Sequence, residues 1–196
     1  QLINHALADR RGLANGLGFG AFPLGAIVFS FVFGMTIEDM GSQNLFGATG
    51  IILAFSGCTA AFLTQKSAIN FRENTSSVSN ADATAPSSQF FVLWTGFLFA
   101  AASGMWAIGH AAGILSSQGG NDLLAMVGAI FVNVGNAGGR FCAGWACDHF
   151  SPRRVALSSH ITALIGFVIL ATNPEPLTAL IAVTFLGLSY GIASGA

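Results

Sequence analysis

Arg140 is the residue of this sequence with the most chemistry available and the least obvious solvent. It stands in NAGGRFCAGWACDHFSPRR, residues 136–154, with glycines at 135, 138, 139 and 144 around it. A guanidinium presents a planar fork of donors that matches a carboxylate. Asn136, one helical turn earlier, falls on the same face. Its amide can orient an arginine or a ligand but cannot take up a proton. Asp148 follows about 12 Å further along a helix at 1.5 Å per residue, and Arg153–Arg154 close the stretch beyond a Ser-Pro. An aspartate at a helix end can accept from the N-terminus of a neighbouring helix and pair with nearby arginines. His110, in GMWAIGHAAG, lies well inside an apolar run and has the titration range for proton coupling. The plainer use of such a histidine is a hydrogen bond to a neighbouring helix.

No enzyme constellation accompanies these residues. There is no nucleophile with an ordered base, no phosphate-cradling loop with its lysine, and no HExxH. Cys58, Cys142 and Cys147 are odd in number and form no CxxC pair, which argues against a disulfide framework or a zinc site. Cofactors are not expected.

The elements that hold Arg140 follow from the solvent. Charged residues make up 8% of the 196, hydrophobic residues 53%, and the mean hydropathy is +0.69. Soluble domains carry about 25% charged residues, so the expected class is an all-α polytopic membrane protein. A net charge of −1 without basic clusters gives no nucleic-acid footprint. The start at Gln1 and the stop at Ala196 both have the look of cuts.

Crossing a bilayer takes about 20 mainly apolar residues. Uncharged runs of that order lie between Arg11 and Glu38, Asp39 and Lys66, Asp82 and Asp122, Arg154 and Glu175, and from Glu175 onward. Asp122 to Asp148 makes another, interrupted only by Arg140. Six helical spans are expected. Gly12/Gly16/Gly20 and Gly135/Gly139 form GxxxG steps, which suit close helix contacts within the chain. Every Lys and Arg falls on one side of the six spans, which makes that side cytoplasmic. Residues 65–89, rich in Ser, Thr, Asn and Ala, read as a linker on that side. Asn74-Thr75-Ser76 is a formal sequon; its cytoplasmic placement predicts that it is unmodified, and a glycosidase-sensitive mass shift would reverse the orientation.

Two stretches carry a family likeness. DRRGLANGLGFGAFPLG, residues 9–25, resembles the start of the fifth helix of monocarboxylate transporters and oxalate/formate-type antiporters of the major facilitator superfamily. Arg10, Arg11, Leu13, Ala14, Asn15, Gly16, Pro23 and Gly25 match that signature. Gly139-Arg140, Gly144, Asp148 and Arg153–Arg154 are similar to the superfamily's loop between helices 8 and 9, with departures at His149, Ser151 and Pro152. Ser189-Tyr190-Gly191-Ile192 looks like helix 10.

The resemblance implies a major-facilitator bundle with six of a probable twelve helices. Residues 1–64 would be the last two helices of the N-terminal bundle, 65–89 the central linker, and 90–196 the first four helices of the C-terminal bundle. It implies a secondary transporter of small organic anions, in which Arg140 and Asn136 contact substrate. In monocarboxylate carriers an acid stands where this chain has Asn136, so a proton-relay role does not transfer. Asp148, Arg153, Arg154 and Gly144 would form a gate, and Pro23 a helix kink used in gating. The expected partners are the lipid bilayer, a small anionic solute and protons as a coupling ion, with the plasma membrane favoured. The alternatives are a carrier of another solute, nodulin-like or drug-efflux in type, and a transport-dead sensor or scaffold on the same fold.

Overall fold

A computed structural model describes residues 10–66 and 87–195. Among them the regular structure is helical, in five elements: α1 (Arg11–Lys66), α2 (Ser87–Ser117), α3 (Asp122–Cys147), α4 (Pro152–Ala171) and α5 (Pro176–Gly195). Each is long and apolar enough to cross a membrane. The linker at 65–89 and its sequon lie almost wholly outside the described residues.

Six spans are expected and five helices are found, because the first connection is made by one residue. α1 is 56 residues long, and Gly41 alone within it leaves helical geometry, at φ 71° and ψ 155°. That combination is open to glycine and strained for other residues. The two arms, 11–40 and 42–66, are each long enough for a span. Glu38 and Asp39, placed in a connection by the sequence reading, stand just before the break. Pro23 stands inside the first arm of α1 and is fully buried, and the residue of α1 that leaves helical geometry is Gly41. A Cβ at position 41 would meet no atom within 4 Å. Gly41→Ala is therefore expected to act through backbone strain alone, costing about 1–3 kcal/mol and lowering the thermal midpoint measured in detergent.

By internal contacts the chain divides into two units, Met35–Phe90 and the remainder, Gln1–Gly34 with Phe91–Ala196. In the smaller unit the 42–66 arm is outward-facing almost everywhere, with Phe55 75% and Ile51 72% exposed. Its hydroxyls turn back on their own helix: Thr49 donates to the Leu45 carbonyl and Thr59 to that of Phe55, both at 2.8 Å. Hydrocarbon leaves polar groups no other partner.

The larger unit is built around α3. Small residues fill its interior and large ones face out, as expected where lipid is the solvent. One core cluster is Ala107, Ala111, Val132 and Leu186; another is Leu115, Ala179 and Val183. Glycines set the helix separations. Gly187 and Gly191 of α5 lie directly on the Val132 and Asn136 carbonyls, and Gly135 and Gly139 of α3 on the Thr184 and Leu188 carbonyls. On the other side of α3, Gly12 and Gly16 meet Gly144 and the Arg140 carbonyl, and Gly20 meets the Phe141 ring. Gly34 meets Met126, so α1 runs antiparallel to α3. Both GxxxG steps therefore serve contacts within the chain.

The helix ends have ordinary chemistry, with one exception. Asn121 caps α3 by accepting the Leu124 N–H at 2.9 Å. Pro152 and Pro176 open α4 and α5, where a missing N–H costs nothing. The exception is α1, whose cap comes from 136 residues further along the chain.

Candidate functional site

That cap is Asp148. Standing at the C-terminal end of α3, its carboxylate accepts the Gly12 N–H through Oδ1 at 2.9 Å and the Leu13 N–H through Oδ2 at 3.0 Å. Both amides belong to the first turn of α1, where N–H groups have no partner in the helix and the dipole favours an anion. Contact this close needs glycine on both sides. A Cβ at Gly12 would stand 2.7 Å from Asp148 Oδ1, and one at Gly144 would stand 2.9 Å from the Gly16 Cα. Asp148 makes the contact expected of it with a helix N-terminus. It does not make the other: among the described residues no ion pair joins it to Arg153 or Arg154, which are exposed on the first turn of α4.

Arg140 lies two turns deeper on α3 and is only 6% exposed. Its Nε donates to Asn136 Oδ1 at 3.0 Å. The guanidinium carbon sits 5.8 Å from the centre of the Phe22 ring of α1 and 5.6 Å from that of Tyr190 of α5. Aromatic faces at that range attract a cation. Among the described residues no carboxylate pairs with it. Asn136 is 0% exposed, and its Nδ2 has no hydrogen-bond partner among the described residues. The sequence reading put these two residues on one face, and the structure joins them.

Phe22 and Tyr190 are the site residues that sequence reasoning missed. Tyr190 is placed by Gly104 of α2, where a Cβ would collide with the tyrosine side chain. Phe22 is placed by the register that the Gly12/Gly16/Gly20 steps impose. The signal lay in those steps: once they fix α1 against α3, the residue half a turn past Gly20 comes level with Arg140.

His110 does not join this group. It is exposed, its Nδ1 lies 3.0 Å from the Trp106 carbonyl oxygen of its own helix, and its ring stacks on Trp106 with centroids 5.6 Å apart. Trp106 in turn meets Phe167 of α4 at 5.9 Å. His149, at the end of α3, repeats the pattern with Trp145, its ring stacked at 4.6 Å. Among the described residues no cluster of His, Cys, Asp and Glu could hold a metal.

Residues 2–196 match the family described as the Major Facilitator Superfamily. The chain is similar to YhjX of Escherichia coli (strain K12), described as an uncharacterized MFS-type transporter. Identity is 26% over 192 residues, which is 93% of this chain and 47% of YhjX. The chain thus spans about half the length of that relative. No solved structure matches it.

Proposed function

The chain belongs to the Major Facilitator Superfamily and is an integral, multi-pass membrane protein, and we propose that the whole protein is a secondary carrier of small organic anions. Monocarboxylates, oxalate and formate are the substrate class, and alternating access is the mechanism. The observation that carries this reading is a buried guanidinium held by a neutral amide, with no acidic partner among the described residues. A buried charge without a counter-charge is costly in lipid, and a carboxylate ligand supplies what is missing. Arg140 binds the anion, Asn136 orients it, and the rings of Phe22 and Tyr190 bracket the guanidinium.

In this reading the Asp148–α1 contact is part of a gate. Rocking of one bundle against the other requires interactions made in one access state and absent from the other. A carboxylate on a helix N-terminus is such an interaction, and Gly144 permits it. Arg153 and Arg154 supply charge at the same end of the bundle, and Pro23, buried in α1, gives the arm that carries the contact a place to bend.

The test is uptake of labelled lactate, pyruvate, oxalate and formate into liposomes containing the whole protein, against empty ones. Arg140→Ala is expected to lower uptake by at least ~30-fold, since truncating one partner of a buried charge pair costs about 2–5 kcal/mol. Arg140→Lys should retain part of the activity, because an ammonium replaces the charge but not the fork. Unchanged uptake in Arg140→Ala would sink the anion reading and favour a carrier of another solute. No flux above empty liposomes would favour a sensor or scaffold.

His110 is the remaining coupling candidate. Its contacts are local to its own helix and one neighbouring ring, so His110→Gln is expected to leave both the uptake rate and its pH profile unchanged. A flattened profile would give His110 the coupling proton.

A further inference from the structure

We infer that the corner where α3 ends and α4 begins binds the headgroup of an anionic phospholipid. Arg10, Arg153 and Arg154 surround the phosphodiester, and Trp145 and Phe150 lie against the glycerol and the upper part of the chains. The inference is independent of the anion site at Arg140 and holds whatever solute the carrier takes.

Three helices bring the charges together. Asp148 ties the start of α1 to the end of α3 through the Gly12 and Leu13 amides. Arg10 stands immediately before α1, its carbonyl accepting the Ala14 N–H at 3.0 Å. His149 and Phe150 alone separate Asp148, the cap of α3, from Ser151, the cap of α4. Arg153 and Arg154 follow on the first turn of α4, and all three arginines are exposed. Among the described residues of this corner the one carboxylate is Asp148, so positive charge is in excess. A guanidinium fork matches phosphate oxygens bidentately, and an anionic leaflet adds about 5-fold to binding for each arginine near it.

An aromatic patch adjoins the charges and faces outward. Trp145 is 51% and Phe150 49% exposed, with ring centroids 6.1 Å apart and edge-on. His149 stacks on Trp145 at 4.6 Å, and its Nδ1 lies 2.8 Å from the Trp145 carbonyl oxygen. A carbonyl only accepts, so Nδ1 carries the hydrogen and pins the imidazole to its own helix. Trp145 is thus braced from two sides, one turn short of the helix end. That is the depth at which chains give way to headgroups, where an indole with an apolar body and one N–H is best placed.

The two halves of the corner select the ligand. A soluble anion would engage the arginines and leave the rings idle; an uncharged lipid would do the reverse. A choline headgroup would bring its own cation among the guanidiniums. An anionic phospholipid alone among these uses both halves in one molecule.

The test uses the whole protein in phosphatidylcholine vesicles containing a minor fraction of phosphatidylglycerol, with bromine near the top of the chains of one lipid or of the other. Bromine quenches tryptophan on contact, and the difference between wild type and Trp145→Phe isolates Trp145. At equal mole fraction, brominated phosphatidylglycerol is expected to quench Trp145 as though enriched at least ~5-fold over brominated phosphatidylcholine, and raised salt should lower that enrichment. Arg153→Gln/Arg154→Gln should bring the two lipids level. Arg153→Lys/Arg154→Lys should keep part of the preference, since an ammonium retains the charge without the fork. Where the glutamine pair does not fold, the salt series and the lysine pair carry the test. Equal quenching by the two lipids in wild type would overturn the inference, as would enrichment unchanged by salt or by the glutamine pair. Quenching by neither would mean that protein covers the corner, and would overturn it too.

Discussion

Gly187→Ala is expected to separate α3 from α5 and to lower stability by at least about 3 kcal/mol, at or beyond the usual upper end for overpacking. The added Cβ falls on the Val132 carbonyl oxygen, with the carbonyl carbon 2.8 Å and the Cα 3.1 Å away. These are main-chain atoms of a packed helix, so no rotamer change relieves the clash. The whole helix must move, and with it the packing of Val132 and Leu186 in the core. A control makes the point separable from helix propensity. At Gly113 of α2 a Cβ would meet nothing within 4 Å, and Gly113→Ala is expected to raise stability by about 0.5–1 kcal/mol. Thermal melts of both variants in one detergent, followed by circular dichroism and size-exclusion profile, check the pair. Equal midpoints would mean that the α3–α5 spacing is not set by glycine.

Asp148→Ala is the second large effect. It removes two charge-assisted hydrogen bonds, each worth roughly 1.5–3 kcal/mol, and leaves the Gly12 and Leu13 amides to water or to nothing. Loss of an ordinary cap costs about 1 kcal/mol; here the capping group also ties two helices together, so about 2–4 kcal/mol is expected. Asp148→Asn separates the two contributions. An amide oxygen can still accept one N–H, but its nitrogen then faces the other amide, donor against donor. The asparagine variant should therefore recover less than half of the loss. Hydrogen exchange at Gly12 and Leu13 is the direct readout. Protection that survives in Asp148→Ala would mean that the cap does not hold the first turn of α1.

Much of this architecture was legible because lipid imposes few rules. The long uncharged runs had to be helices, and their positions agree with α2 to α5 and with the two arms of α1. The GxxxG steps at 12/16/20 and 135/139 did mark contacts within the chain. Their partners are legible in the same way: Gly187, Gly191 and Gly195 repeat at the same spacing on α5. The charged pair Glu38–Asp39 marked the place of the first connection, but not that Gly41 alone makes it. One residue in a conformation open only to glycine replaces the several turn residues that normally signal a connection.

The site was half legible. The Asn136–Arg140 bond follows from spacing on one helix. Phe22 and Tyr190 come from helices far away in sequence and depend on how closely glycine lets three backbones approach. The gate reading met the same limit. Asp148 could be placed at a helix end, but that both its oxygens would be taken by α1, leaving the Arg153–Arg154 pair unbridged to it, depended on the register of α1.

The glycine faces of α3 have a mechanical consequence. Helices that interlock through large side chains move past one another in jumps of a turn, because each knob must clear a ridge before it finds the next hole. Where Gly144 meets Gly12 and Gly16 the two surfaces are nearly bare main chain, and there are no teeth to clear. At this end such a joint resists separation but offers little resistance to sliding, and side-chain contacts begin only further along, where Phe141 meets Gly20 and Met126 meets Gly34. Its position is then held by whatever latches the end of the track, and here the latch is one carboxylate on two amides.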